Sequence, residues 1–231
     1  MVMTDEIEDD SPTLLRLMQL VSPVLPVGAY AYSQGMEYAV HAEWLHDEES
    51  AALWILGLLD HLLARVDVPL LVRLYRGWML NDENALHYWS GYLSACRESR
   101  ELQDEDRQLG QSLARLLRDL GIQEAAPWIK HHDAAFAVMF SLAAVRWCIP
   151  LKATVHGYLW SWAENQVMAA IKLIPLGQTA GQRILSNVGE AIPAVTSRGL
   201  ALRDEQIGFV AQRLAIGSAL HEHQYSRLFR S

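Results

Sequence analysis

Nine histidines and two cysteines are the side chains of this 231-residue sequence best able to hold a metal or act as nucleophiles, and their spacing decides whether they do. His41 and His46 are five apart, His131 and His132 are adjacent, and His61, His87 and His156 stand alone. No HxxxH or CxxC pair sets two ligands on one helical face, so no multidentate metal site is expected. His131 and His132 point apart if they lie on a helix, and a lone histidine reads as a surface or hydrogen-bonded residue. The exception is His221-Glu222-His223, which can offer a metal ion a transient contact. Catalytic constellations are also missing: the sequence has no GxSxG elbow, no HExxH and no GxxxxGK[ST] phosphate loop. The arginines near Cys96 are offset by Glu98 and Glu101, so no thiolate is favoured there. Acidic pairs such as Asp9-Asp10 and Glu48-Glu49 read as helix-start and solvated charges. The expectation is a protein without a resident cofactor and not an enzyme.

Two other stretches have compositions that a packed helix does not require. LPVGAYAYSQGMEYA, Leu25 to Ala39, begins as a loop, because Pro26 and Gly28 do not sit together in a helix interior. Ser33 can cap a helix starting near Gln34. Tyr30 and Tyr32 either fill a gap over the core or form a contact surface, since tyrosine joins a large apolar area to a polar tip. PLGQTAGQR, Pro175 to Arg183, places Gly177 and Gly181 four apart, which permits a close helix crossing. Gln178, Gln182 and Arg183 lie beside them. A tight intramolecular crossing explains the glycines, and an interface explains the amides and the guanidinium. The ending HEHQYSRLFRS alternates bulky and basic groups, Tyr225, Arg227, Leu228, Phe229 and Arg230. Such a tail either folds back on its domain or docks on a partner.

The elements that must position these residues all read as helices. Ser11 and Pro12 open one, and Leu14, Leu15, Leu17, Met18 and Val21 mark its apolar face. Further helices are predicted over about 48–65, 67–80, 83–97 and 98–120, the last closed by Gly121. After the loop QEAAPWIKHH, Asp133 is expected to cap an apolar helix over 134–148. Pro150 opens a long one to about Leu173, Pro175 and Pro193 bracket the next, and Asp204 opens a last one toward His221. The pattern is all-α, one compact domain over residues 1–231 of roughly ten helices, with a docking tail at 221–231.

Composition narrows the partners. With 27 acidic against 19 basic side chains the net charge is −8, which opposes nucleic acid. Two cysteines do not make a disulfide framework. The first residues, MVMTDEIEDDSP, are acidic where a signal peptide is basic. The longest apolar run, Ala134 to Val145, is short of the roughly 20 residues a bilayer span takes. No basic amphipathic helix suits a membrane surface. A soluble cytoplasmic protein is expected.

The Leu25–Ala39 block, PLGQTAGQR and the HEHQYSRLFRS ending together resemble the UreF family of urease accessory proteins. LDHLLARVDVPLLVRLYR, Leu59 to Arg76, and PLKATVHGYLWSWAENQVMAAIK, Pro150 to Lys172, extend the likeness over nearly the whole chain. The resemblance implies a helical, non-catalytic assembly factor. Such a protein forms a homodimer, binds UreD (UreH in some organisms) and the GTPase UreG, and so helps load apo-urease with nickel. It also implies that Tyr225 to Arg230 belong to a UreD surface and that Lys172, Gln178 and Arg183 lie at or near the dimer and UreG surface. Ala31 stands where the family commonly has Ser or Thr, and Met36 where it has Leu. The rival from another class is a helical small-molecule-binding protein or enzyme with a pocket built from Trp147, His156, Trp160 and Trp162.

Overall fold

The computed structural model describes residues 11–231, which place the acidic start of the chain, Asp9-Asp10 included, outside the description. Among the described residues there are ten α-helices and no strand. The centre is the helix that is apolar on every side, FAVMFSLAAVR, α7 (Phe136–Arg146), where Ala137 through Ala144 are all buried. A helix without a polar face belongs in the interior. Against it pack α4 (Asp67–Leu80), α6 (Arg100–Asp119) and α8 (Leu151–Leu173). α9 (Gln178–Ala201) lies along α8 and also covers α4 and α3 (Glu48–Gly57). α1 (Ser11–Val21) lies on α8, α5 (Glu83–Ala95) on α4, and α2 (Met36–His41) against α10 (Gln212–His221).

Local chemistry accounts for most boundaries. Asp47 and Ser50 form a reciprocal capping box at α3, Asp82 accepts the Ala85 amide at α5, and the Ser99 hydroxyl accepts the Leu102 amide at α6. Gly121 closes α6 at φ +95°, and the Ile122 amide returns to the Leu117 carbonyl at 2.9 Å. Gly110 is where α6 meets the chain entering α7. A Cβ there would stand 1.8 Å from the Ala134 carbonyl oxygen, which only glycine avoids.

Five expectations need correction. α7 starts at Phe136, and its cap is tertiary: the Phe136 amide donates to Asp106 Oδ1 of α6 at 2.7 Å, not to Asp133. α9 runs through Pro193 to Ala201 because Ile192, Val195, Thr196 and Gly199 continue its buried face, and that packing outweighs the missing backbone bond. The helix expected to run to Arg65 widens over Leu58–Leu63 into a π-helix, which turns Leu58, Leu59, Leu62 and Leu63 inward together. The segment after Gly121 is a 3-10 helix, Gln123–Lys130, and Asp204 begins only a short 3-10 turn before α10.

Candidate functional site

The end of α8 and the start of α9 carry the first group of candidates. Gly177 is the extended residue before α9, and no atom crowds it. Gly181 is helical and faces α8, where an added Cβ would lie 2.5 Å from Ile171 Cδ1. The two glycines therefore do not share a packed face, and the close approach belongs to the α8–α9 crossing within this chain. Gln178, Gln182 and Arg183 are exposed. Arg183 lays its guanidinium fork on Glu48 at the start of α3, Nε to Oε1 at 2.7 Å and Nη2 to Oε2 at 2.5 Å. These bonds hold the Glu48 carboxyl below the usual carboxylate range and raise the arginine's own pKa. Lys172, in the last turn of α8, stands with its ammonium 5.6 Å from the centre of the Phe229 ring.

The second group is the proline- and glycine-rich loop with the tail laid across it. Tyr30 is exposed, whereas Tyr32 is buried and donates from its hydroxyl to Gln108 Oε1 at 2.6 Å. Gly35, at φ +74°, brings this loop against α10, where a Cβ would lie 2.9 Å from the Ser218 nitrogen. The Ser33 hydroxyl accepts the Glu37 amide and donates to the Ser231 main-chain oxygen at 2.5 Å. The Ser33 amide donates to that same oxygen, and the Arg230 amide donates to the Ala31 carbonyl at 2.8 Å. Ser231 Oγ in turn donates to Glu105 Oε2 at 2.6 Å.

Glu37 is the principal clamp on this tail. Its carboxylate accepts the amides of Leu228 and Phe229 at 2.6 and 2.8 Å, and His221 Nε2 lies 3.2 Å away. His221 Nδ1 faces Glu101 Oε2 at 2.9 Å, and Arg227 donates to the other oxygen of Glu101 at 3.0 Å. Phe229 is thus a buried anchor, while Tyr225 and Leu228 are exposed and Arg227 and Arg230 reach the surface. His221 has no accessible surface and both ring nitrogens are engaged, so the expected metal contact through His221 and His223 is not available.

Beneath the loop lies a polar interior that the reading of the sequence missed. Arg97 pairs with Asp67 at 2.7 Å and with Asp106 at 2.9 Å, and the Tyr158 hydroxyl donates to Asp67 at 3.1 Å. Burial pushes the Tyr158 hydroxyl well up, and the two aspartates raise Arg97 against the opposing effect of burial. Glu105 accepts from Gln34 at 2.8 Å, and Gln34 accepts from Trp162 at 2.9 Å. Burial raises the Glu105 carboxyl to about 7. These groups line a cavity of about 130 Å3, with Tyr30 and Met168 also on its wall. The sequence did hold a signal: Glu105 and Asp106 fall on the same stripe as Leu102, Leu109 and Leu113, one helical turn apart. Of the tryptophan pocket proposed as a rival, only Trp162 reaches this cavity, so Trp147, His156 and Trp160 do not build it. Burial raises the Cys96 thiol, which agrees with the absence of an activated thiolate.

Fold and site together define an all-α protein in which an aromatic loop, a glutamine-rich helix start and a basic aromatic tail are held on one domain. A sequence model of the UreF family matches residues 45–189. A protein of Alkalilimnicola ehrlichii named urease accessory protein UreF is 55% identical over 216 residues, which cover 94% of this chain and 95% of that one. Proteins of the same name from Teredinibacter turnerae and Chromohalobacter salexigens are 47% and 44% identical, covering 94% and 97% of this chain and 98% and 97% of their own lengths. The chain belongs to the UreF family of urease accessory proteins. No helix among the described residues is long and apolar enough to cross a membrane.

Proposed function

We propose that this chain is a non-catalytic bridging protein of urease maturation, acting in the cytoplasm as a homodimer that joins UreD (UreH) to the GTPase UreG so that nickel reaches apo-urease. Family membership supports the role. The observation that carries the partner surface is the two-sided tail: Glu37 and Ser33 hold its backbone and Phe229 inside, leaving Tyr225 and Leu228 turned to solvent. An exposed apolar pair fixed on a rigid base loses little entropy on binding, which is what a docking surface needs. In this reading the UreD surface is the outer side of the tail, Tyr225, Arg227, Leu228 and Arg230, with Phe229 as its internal anchor.

The second surface is the start of α9. Gln178, Gln182 and Arg183 there, and Lys172 at the end of α8, are all exposed, and their amides and cations suit the dimer partner or UreG. Tyr30 is the exposed member of its pair and serves as contact area, while Tyr32 acts from inside by holding α6. The test is co-expression of the tagged chain with UreD and UreG. Tyr225→Ala combined with Leu228→Ala should lose UreD without changing the circular dichroism spectrum, and Arg183→Ala should lose dimer or UreG. A double variant that still captures UreD in full would move the UreD surface off the tail.

A further inference from the structure

The turn between the 3-10 helix Gln123–Lys130 and α7 holds the one group of three metal-ligating side chains found among the described residues. His131, His132 and Asp133 each bring one ligand atom to within 4.8 Å of the other two. Adjacent histidines diverge on a helix, but here the backbone turns and the two rings stack, centres 4.6 Å apart at 25°. His132 Nε2 lies 2.9 Å from Asp133 Oδ2.

We propose that His131, His132 and Asp133 form a binding site for one divalent first-row transition cation. Two imidazoles and a carboxylate are the donor set of nickel, cobalt or zinc, whereas calcium and magnesium take oxygen alone. Three protein ligands leave the remaining positions to water, and the His132 side chain, 80% exposed, admits the ion from solvent.

The turn is held in place before any ion arrives. Gln111 donates to the His131 carbonyl at 3.1 Å, and the Ser90 hydroxyl donates to the Asp133 carbonyl. The amides of Ala134 and Ala135 return to His131 and Asp133. His87 and Trp128 stand against the His131 ring, with centres 5.0 and 4.9 Å away, and fix its plane. The His131 Nδ1 lone pair already points into the turn, where it accepts the Asp133 amide at 3.2 Å, a weak bond that an ion can replace. Of the other histidines, His221 is enclosed by Glu37 and Glu101, and His46 and His61 each stand beside a single aspartate.

The site is independent of which proteins the chain assembles with, and its test needs none of them. Titrating the full chain, tag-free at neutral pH, with nickel or zinc chloride in a calorimeter should show one saturable equivalent. His132→Ala and Asp133→Asn should each weaken it about tenfold or more, and His223→Ala should leave it unchanged. Bound Co2+ should show visible d–d bands that one equivalent of Zn2+ removes. His132 and Asp133 Oδ hold no other element in place, so circular dichroism and melting temperature should not move. No saturable binding, or binding that survives in His132→Ala and Asp133→Asn, or binding lost in His223→Ala, would overturn the proposal.

Discussion

Glu37, Glu105 and His221 each hold a polar group in a place that water would otherwise serve better. Glu37 accepts two tail amides and faces His221, so removing it leaves the Leu228 and Phe229 amides and one His221 ring nitrogen without this partner. Glu37→Ala should cost on the order of 3 kcal/mol in urea unfolding, the scale for breaking a buried charge network, and should open the tail to trypsin at Arg227. Wild-type stability with a protected tail would show that the clamp lies elsewhere. Glu105 sets a pH dependence whose sign follows from its raised pKa. Between about 4.5, its ordinary value, and about 7 the folded protein binds more protons at this site than the unfolded chain. The stability it contributes is therefore full at the acid end of that window and is lost as pH rises through about 7. Glu105→Gln keeps an acceptor for Gln34 and buries no charge, so its gain over the native protein should be larger at pH 8 than at pH 5. An equal effect at both values would contradict the assignment. Only part of this was legible in the sequence. Periodicity places Glu105 and Asp106 on the leucine stripe but does not name the Arg97, Gln34 and Ser231 that satisfy them.

At the scale of elements the sequence was far more open. Proline, glycine and capping residues set the start of α3 and both ends of α1, α5, α6 and α8 close to where they were expected, because those signals act within one turn. The failures have a common cause in tertiary packing. Asp106 caps α7 from thirty residues away, and a shared buried face carries α9 past Pro193. Of the two glycines of PLGQTAGQR only Gly181 lies in a helix crossing, since Gly177 precedes the helix and no atom crowds it. Gly181→Leu should disturb the α8–α9 contact, costing about 1–3 kcal/mol or more by overpacking. Gly110→Ala should be severe, because the added carbon meets backbone that cannot rotate away. A Gly110→Ala protein with unchanged melting temperature would refute the α6–α7 crossing. Arg183→Ala releases an exposed ion pair to Glu48 and should barely change the melting temperature, so any loss of partner binding can be read as an interface effect.

For the whole molecule, the resemblance visible in three short blocks agrees with the family that the full-length relatives establish. What those blocks did not reveal is that two of them, the loop and the tail, touch one another. The tail lies over the aromatic loop, and Phe229 sits under Lys172 just before PLGQTAGQR. A segment read as a docking tail is thus also part of the domain's hydrogen-bonded structure, and removing Tyr225 to Ser231 should lower the melting temperature by several degrees rather than leave it unchanged. That truncation therefore cannot separate docking from folding, whereas substitutions on the tail's outer side can. The most direct measurement of the bridging role is co-purification of UreD and UreG with the tagged chain, native against Tyr225→Ala/Leu228→Ala, with the mass of each complex read by light scattering. The expected result is a native complex containing both partners on a dimer of this chain, and a double variant that stays folded, keeps its dimer and loses UreD. A native chain that captures neither partner, or a folded double variant that captures UreD as well as the native chain does, would contradict it.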